Sequence, residues 1–227
     1  MGKYKKIVLN IPHSSIEGIT ESTWPLGKPF FGQVRNWTDW YTDYLFGADL
    51  KEICPVRFNK SRFIVDVERL EDDPLESAGQ GIVYEMFDNI GRKVSISDRE
   101  AFMSEYHRHI QNLKTVLTDQ SILIDCHSFP STLSDIEVCI GFNNDWSKPD
   151  IEVIQLVADA FANVGYKVGI NEPYSNSISP TCSFFYHSLM IEINKSTYMD
   201  EVTLSLTDKA IEMKKTIEDV YTKILLL

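Results

Sequence analysis

The chain has 227 residues, 43% of them hydrophobic and 24% charged, which is the composition of a folded globular protein and excludes a disordered chain. Its 33 acidic and 22 basic residues give a formal net charge of −11, so the general surface is a poor partner for nucleic acid or an anionic membrane. The four cysteines form no CxxC pair and no apolar run is long enough to cross a membrane, so we expect a cytoplasmic protein with reduced thiols.

Short apolar runs typical of β-strands alternate along the chain with segments of helical periodicity. The predicted strands are residues 6–11, 62–67, 121–126, 136–140, 166–170 and 188–193. The predicted helices are residues 38–53, a segment that opens at the capping-box sequence SDRE (97–100), a segment that starts at 147–150 and stops near Gly165, and 207–227.

This alternation predicts a three-layer α/β sandwich with a mixed, mostly parallel sheet flanked by helices. No repeat and no linker rich in Pro, Gly or Ser interrupts it, so we expect residues 1–227 to form one domain.

Polar side chains gather where the predicted strands end. His13 follows the first strand, Asp66 lies near the end of the second, and Asp125 and His127 lie at the end of the third. Glu192 lies within the strand at 188–193. Because ligands of α/β sheets bind beyond the carboxyl ends of the strands, we expect these side chains to share one site.

Glu192 is the most informative of these residues, because a carboxylate inside an apolar strand is costly to bury unless it is paired or lies near a metal ion. A salt bridge to Arg62 or Arg69 would satisfy it equally well. Asp125 poses the same question and could orient a histidine. Two histidines, one carboxylate and an open position form a common catalytic zinc site, although each histidine could also be a turn residue.

Other kinds of active site find little support in the sequence. There is no HExxH, GxSxG, GxGxxG or P-loop motif. Cys126 and His127 are neighbours on a strand and point to opposite faces, so they do not form a nucleophile–base pair. His107 and His109 are two residues apart on a helix and face different directions, which predicts surface positions. His187 begins a strand and is predicted to be structural.

Four segments together resemble a known family: NIPHSS (10–15), SRFIVDVER (61–69), IDCHSF (124–129) and MIEINKSTYMDE (190–201). Shorter matches lie between them: DDPLE (72–76), GQGIVY (79–84) and NEPYS (171–175). In this order they resemble the N-formylglutamate amidohydrolase family, which is similar in fold to zinc carboxypeptidases and aspartoacylases. The matches run from near residue 7 to near residue 201 and so cover most of the chain.

The resemblance implies a metal-dependent amidase that cleaves an N-acyl group, formyl in the named case, from an amino acid. It implies that His13 and His127 bind zinc or another divalent metal ion. The Thr-Asp-Trp sequence of the family is present around Asp39 and favours that residue as the third ligand, with Glu17 as the local alternative. The implied partner is a small anionic N-acyl amino acid or short peptide.

By the same resemblance, Glu192 would be the general base, and Arg62 and Arg69 would bind or orient the substrate, Arg62 beside the reacting carbonyl. Further substrate contacts would come from one loop that carries Asn171, Tyr174 and Ser175.

The sequence departs from the family pattern at three positions. Lys195 stands where an arginine is usual, Asn176 where a glycine is usual, and Glu68 where many members have asparagine. Two other functions fit the same residues: a zinc carboxypeptidase or peptide amidase on this scaffold, and a non-catalytic relative that binds an acyl amino acid.

Overall fold

A six-stranded sheet with helices on both faces carries Asp125, His127 and Glu192 of the residues singled out above. The computed structural model describes residues 2–227. The elements in chain order are β1 (Lys6–Ile11), α1 (Lys28–Trp37), α2 (Thr42–Phe46), β2 (Ile53–Arg57), β3 (Met86–Phe87), β4 (Ile90–Gly91), α3 (Ile96–Val116), β5 (Ser121–Phe129), β6 (Val138–Gly141), α4 (Ile151–Ala162), β7 (Val168–Ile170), β8 (His187–Asn194), β9 (Met199–Asp200), β10 (Ser205–Leu206) and α5 (Lys209–Leu226).

The strands of the main sheet lie in the order β2-β1-β5-β8-β6-β7. Strands β2, β1, β5 and β8 run parallel, whereas β6 is antiparallel to β8 and parallel to β7. The predicted mixed, mostly parallel sheet flanked by helices is therefore confirmed. The carboxyl ends of β1, β5 and β8 meet at one edge, which is where the sequence placed its polar residues.

Alternate residues of each strand face two different layers. On one face, Ile124 of β5 and Ile191 of β8 belong to a core that includes side chains of α2, α4 and α5. On the other face, Val8 and Leu123 pack against Leu113 of α3. Because both faces are covered, β5 is buried along its whole length, and this explains its nearly continuous apolar sequence.

The predicted strand at 62–67 is wrong. These residues form turns in which the Ser61 carbonyl accepts hydrogen bonds from the backbone N–H groups of Ile64 and Val65. The apolar side chains of the segment are buried in a second core together with Phe30 of α1 and Tyr106 of α3. A short apolar run indicates burial, but its periodicity alone does not distinguish a strand from a loop packed in a core.

The region 38–53 is also more divided than predicted. Only Thr42–Phe46 is helical there, because Tyr41 has a left-handed φ of 63° and Gly47 leaves the helical conformation. Six elements were not predicted: α1, which starts beside Pro29, β2, and the two-residue strands β3, β4, β9 and β10. Strand β2 contains Pro55, and the sheet tolerates a proline there because β2 is an edge strand.

The other predicted elements are present with shifted ends. The N-cap of helix α3 is Ser95, two residues before the expected cap, because the side chain of Ser95 accepts a hydrogen bond from the backbone N–H of Asp98. Helices α4 and α5 and strands β1, β5, β6, β7 and β8 match the predicted segments. All four cysteines are free, and among residues 2–227 no helix combines the length and apolarity that a membrane crossing requires.

Candidate active site

The sheet register brings together residues that are far apart in sequence. Asn10 of β1 pairs with Asp125 of β5, and His127 of β5 pairs with Glu192 of β8. Paired residues of neighbouring strands point to the same face, so all four side chains lie on the face opposite the core that contains Cys126. Cys126 and His127 thus point to opposite faces, as predicted.

His13, Asp39 and His127 form a buried cluster at this edge of the sheet. Asp39 follows α1, and its backbone N–H donates to the carbonyl of His13 at 3.0 Å. Asp39 Oδ2 lies 3.1 Å from His127 Nδ1 and 3.7 Å from His13 Nδ1. Burial favours a raised pKa for Asp39, but the hydrogen bonds and charges of the two histidines hold this pKa below its usual value, so the carboxylate is ionised.

A buried carboxylate orients the His13 ring. Asp66 Oδ1 lies 2.8 Å from His13 Nε2, while Asp66 Oδ2 accepts from Arg62 Nη2 at 3.0 Å and from the Tyr84 hydroxyl at 2.6 Å. Burial would raise the pKa of Asp66, but the positive charge of Arg62 and the bond to His13 hold it well below its usual value. The Nε2 proton of His13 is therefore held at Asp66, and Nδ1 faces Asp39.

The His127 ring is oriented in the same way by Asp125. Asp125 Oδ1 lies 3.0 Å from His127 Nε2, and its Oδ2 accepts from the backbone N–H of Ile178 at 3.0 Å. The carboxylate is held by Asn10, whose Nδ2 donates to Asp125 at 2.9 Å and to Glu68 at 2.5 Å. Both histidines therefore present Nδ1 toward Asp39.

These residues fit a divalent metal ion. His13 Nδ1 is buried and has no hydrogen-bond partner, which is costly for a ring nitrogen unless a ligand completes it. Two imidazole nitrogens and one carboxylate, each histidine backed by a further carboxylate, are a donor set that suits zinc. A second group, Glu68, Asp125 and His127, also has donor atoms close together, but there His127 Nε2 already bonds Asp125.

Glu192 lies beside this cluster and is almost fully buried. Burial raises its pKa to about 8, and the positive charge of His127 acts in the opposite direction. A carboxyl group with a pKa near neutrality can both accept and return a proton. The raised pKa therefore makes Glu192 a candidate for proton transfer at this site.

Lys195 is a buried cation of this region to which the sequence assigned no role in the site. Its Nζ donates to the backbone carbonyl of Asn36, and only 1% of the residue is exposed. Burial lowers its pKa to about 8, while the charges of Asp39 and Glu201 raise it. The sequence feature that could have placed Lys195 near the site is its position three residues after Glu192.

Arg62 and Arg69 both approach Asp66. Arg62 makes the hydrogen bond described above, and Arg69 Nε lies 3.6 Å from Asp66 Oδ2. The Nε atoms of both arginines are buried without a hydrogen-bond partner. Arg69 Nη1 also lies 3.5 Å from Asp73 Oδ2, so the two guanidinium groups are matched by two carboxylates. Their unpartnered Nε–H groups are what they can offer to an anion.

The predicted substrate loop lies beyond β7. The Tyr174 ring packs edge-on against Phe129, and burial together with the charge of Glu192 raises its pKa to about 12. The Asn171 side chain accepts a hydrogen bond from the backbone N–H of Phe142 at 2.9 Å, so it braces the loop. Ser175 is exposed on the same segment.

The sequence also made predictions for Glu17, His107 and His187, which lie away from the cluster of His13, Asp39 and His127. Glu17 is exposed and lies outside both clusters of metal-ligand type. His107 is exposed, as predicted, and pairs with Glu71. His187 begins β8 and bonds the Tyr4 hydroxyl.

The surface position predicted for His109 is wrong. This residue is 3% exposed, and its Nε2 lies 2.8 Å from Asn10 Oδ1. The signal that could have found it is its helical spacing, three residues after Tyr106 and four before Leu113, both of which are buried.

Comparison with known proteins agrees with this fold. A family model described as N-formylglutamate amidohydrolase matches residues 5–199. The crystal structure of N-formylglutamate amidohydrolase from Ralstonia eutropha JMP134 has a TM-score of 0.82 at 17% identity, covering 99% of this chain and 94% of that one. A gene product of Agrobacterium tumefaciens has a TM-score of 0.64 at 15% identity, covering 97% and 92%. Comparison with curated protein sequences finds no match. The structural likenesses establish the fold, and the family model spans most of the chain, which therefore belongs to the N-formylglutamate amidohydrolase family.

Proposed function

We propose that this protein hydrolyses the amide bond of an N-acyl amino acid, with N-formylglutamate as the first substrate to test, and that it does so with a divalent metal ion. The observation that carries this proposal is the convergence of His13, Asp39 and His127, in which His13 Nδ1 is buried without a partner. His13, Asp39 and His127 would hold the ion.

A metal ion bound there would supply the Lewis acid that polarises a carbonyl group and makes a water molecule nucleophilic near neutral pH. Asp66 and Asp125 hold the Nε2 side of the two histidines, so each ring would offer Nδ1 to an ion once that atom has lost its proton. Because a proton competes for the same Nδ1 atoms, binding of the ion would release protons and weaken in acid.

Glu192 would take a proton from the attacking water and return it to the leaving amine. Burial raises its pKa to about 8, and the positive charge of a bound metal ion would lower this pKa toward neutrality, where the group can both accept and return a proton. Arg62 lies beside the same cluster and would stabilise the negative charge that develops on the carbonyl oxygen. Its partly exposed side chain, 18% accessible, keeps it within reach of a ligand.

Arg69 would pair with a carboxylate of the substrate, a task that suits the planar guanidinium fork. The unpartnered Nε–H groups of Arg62 and Arg69 support an anionic substrate. Tyr174 would form one wall of the substrate site, since its hydroxyl lies close enough to Glu192 and Arg62 for both charges to act on its pKa. Asn171 would hold that wall in place, and the exposed Ser175 would contact the substrate.

The first prediction concerns the metal ion. We expect activity on N-formylglutamate to disappear after treatment with a chelator and to return with zinc. The assay is release of free amine from N-formyl- and N-acetyl-glutamate, the corresponding aspartates, and short peptides. A preference for peptides would indicate a carboxypeptidase-like activity, binding without turnover would indicate a non-catalytic relative, and undiminished activity in chelator would remove the metal from the proposal.

The second prediction concerns the general base. Glu192→Gln should keep its zinc and lose about 10²- to 10⁴-fold in turnover, because the amide cannot accept the proton. Glu17→Gln is the matched control, since Glu17 is exposed and outside the cluster, and it should keep both zinc and activity. Zinc content is measured by elemental analysis beside each rate. Full activity of Glu192→Gln would take the base role away from this residue.

A further inference from the structure

A buried chain of hydrogen bonds runs from helix α3 to the proposed metal ligand His127. It begins at His109, passes through the amide of Asn10 and the carboxylate of Asp125, and ends at His127 Nε2. The three contacts measure 2.8, 2.9 and 3.0 Å in that order. All four residues are less than 9% exposed, so water cannot easily replace a missing partner.

The amide group of Asn10 fixes which atoms donate and which accept along this series of hydrogen bonds. An amide oxygen can only accept, so His109 donates through Nε2 to Asn10 Oδ1. The Asn10 NH2 group then has its two hydrogens on Asp125 and Glu68. In the opposite orientation the amide oxygen would face both carboxyl groups. The His109 N–H therefore selects the amide orientation that lets Asn10 bridge two carboxyl groups.

Asp125 in turn decides how His127 is presented. Its Oδ1 accepts from both Asn10 and His127 Nε2, while its Oδ2 is held by the backbone N–H of Ile178. The carboxylate is thereby fixed on both oxygens. A ring whose Nε2 is held in this way can point only Nδ1 toward Asp39.

We propose that His109 and Asn10 are positioning residues for the metal site, because they fix the carboxylate that orients His127. This inference rests on the proposed function, since it assumes that His127 Nδ1 binds the metal ion. His109 itself contacts neither the ion nor the substrate. Its ring is held from the other side by Phe58, which packs edge-on at 5.4 Å between centroids.

The test measures zinc affinity of the metal-free protein by competition with a chromogenic chelator. His109→Leu keeps the apolar volume and removes the donor, and we expect zinc to bind about 10- to 100-fold more weakly. His109→Gln places an N–H donor at a similar reach and should restore affinity close to that of the wild type. His107→Leu, on the exposed side of the same helix, is the matched control and should bind zinc as the wild type does.

Thermal unfolding of the metal-free variants separates positioning from stability. A purely structural role predicts a lower Tm for His109→Leu with an unchanged zinc Kd, and that result would overturn the inference. A His109→Gln variant that binds zinc as weakly as His109→Leu would overturn it as well. If the wild type itself bound no zinc, the proposed metal site would be wrong. The titration of the wild type alone would show this, whereas failure of the present inference appears only in the variants.

Asn10→Ala tests the same series of hydrogen bonds at its central residue. It replaces His109→Leu in the test if that variant does not fold. It should weaken zinc binding at least as much as His109→Leu. Because both substitutions act through Asp125, the double variant should be little weaker than Asn10→Ala alone. Two losses that simply multiply would show that His109 and Asn10 act independently, and would contradict the proposed chain.

Discussion

Asp66 shows how much of the site depends on one buried carboxylate. It accepts hydrogen bonds from Arg62 Nη2, from the Tyr84 hydroxyl and from the backbone N–H of Glu68, and it contacts His13 Nε2 at 2.8 Å. The sequence indicated that Asp66 belonged to the site but placed it on a strand. Its role as the shared partner of a proposed ligand and an arginine depends on a turn that brings them together.

We predict that Asp66→Asn lowers the free energy of unfolding at neutral pH by about 3 kcal/mol, because it takes the counter-ion from the mostly buried Arg62 and leaves its hydrogen-bond donors poorly paired. The pKa of Asp66 in the folded protein lies below its usual value, so the carboxylate stabilises the fold above about pH 4 and loses this contribution as the pH falls further. The difference between variant and wild type should therefore narrow in acid, as measured by urea unfolding across pH.

Asp135→Asn is the control for this series, because Asp135 is exposed and pairs only with Lys167. It should leave the unfolding free energy nearly unchanged at every pH. A loss of stability in Asp66→Asn that stayed constant down to the most acidic condition would show that the charge of Asp66 is not the cause.

At the scale of elements, helix α3 differs from the sequence prediction in two ways: its N-cap is Ser95, and its His109 is buried. The sequence contains serines at 95 and 97, and the capping-box spacing favoured the second. The folded chain uses Ser95, whose backbone is extended and whose Oγ accepts from the N–H of Asp98 at 3.1 Å. A start two residues earlier is within the usual uncertainty of helix ends.

We predict that Ser95→Ala destabilises the protein by about 1 kcal/mol, the usual cost of losing an N-cap side chain. Ser97→Ala is the matched control, because Ser97 lies within the first turn, and it should change the unfolding free energy much less. Urea unfolding of the two variants measures the difference. A larger effect of Ser97→Ala would support the capping position predicted from sequence.

Some secondary-structure elements were predictable from the sequence and others were not. Strands β1, β5 and β8 were predictable because burial on both faces requires a nearly unbroken apolar run. The short helix α2 and the edge strand β2 were not, since a left-handed Tyr41 and a proline on an edge are decided by neighbouring elements. Residues 62–67 were misassigned because their apolar side chains fill a core that lies off the sheet.

For the whole molecule, the net charge of −11 would act against the approach of the proposed anionic substrate, whereas the proposed contacts with Arg62 and Arg69 would favour its binding. Such a substrate would be repelled at long range and attracted only near these two arginines. Salt screens the long-range repulsion strongly, whereas it screens partly buried contacts much less.

We therefore predict that kcat/KM for N-formylglutamate rises several-fold as ionic strength increases from 0.01 to 0.15 M, over which the Debye length falls from about 30 to about 8 Å. The uncharged diamide of the same substrate is the control, and its kcat/KM should not depend on salt. Initial rates at low substrate concentration give both values. A decrease with salt for N-formylglutamate would mean that the local positive charge dominates approach.

Local pattern was enough to indicate an α/β fold and to point to His13, Asp125, His127 and Glu192, because polar residues at the ends of buried strands stand out against apolar sequence. The family resemblance added Asp39, and Asp125 was already a candidate to orient a histidine. Only the folded chain showed that Asp39 reaches the two histidines from a separate loop, that Asp66 lies behind His13, and that His109 is buried against Asn10. The reason is physical: hydrogen bonds between side chains depend on distances and directions across elements, and sequence spacing does not encode them.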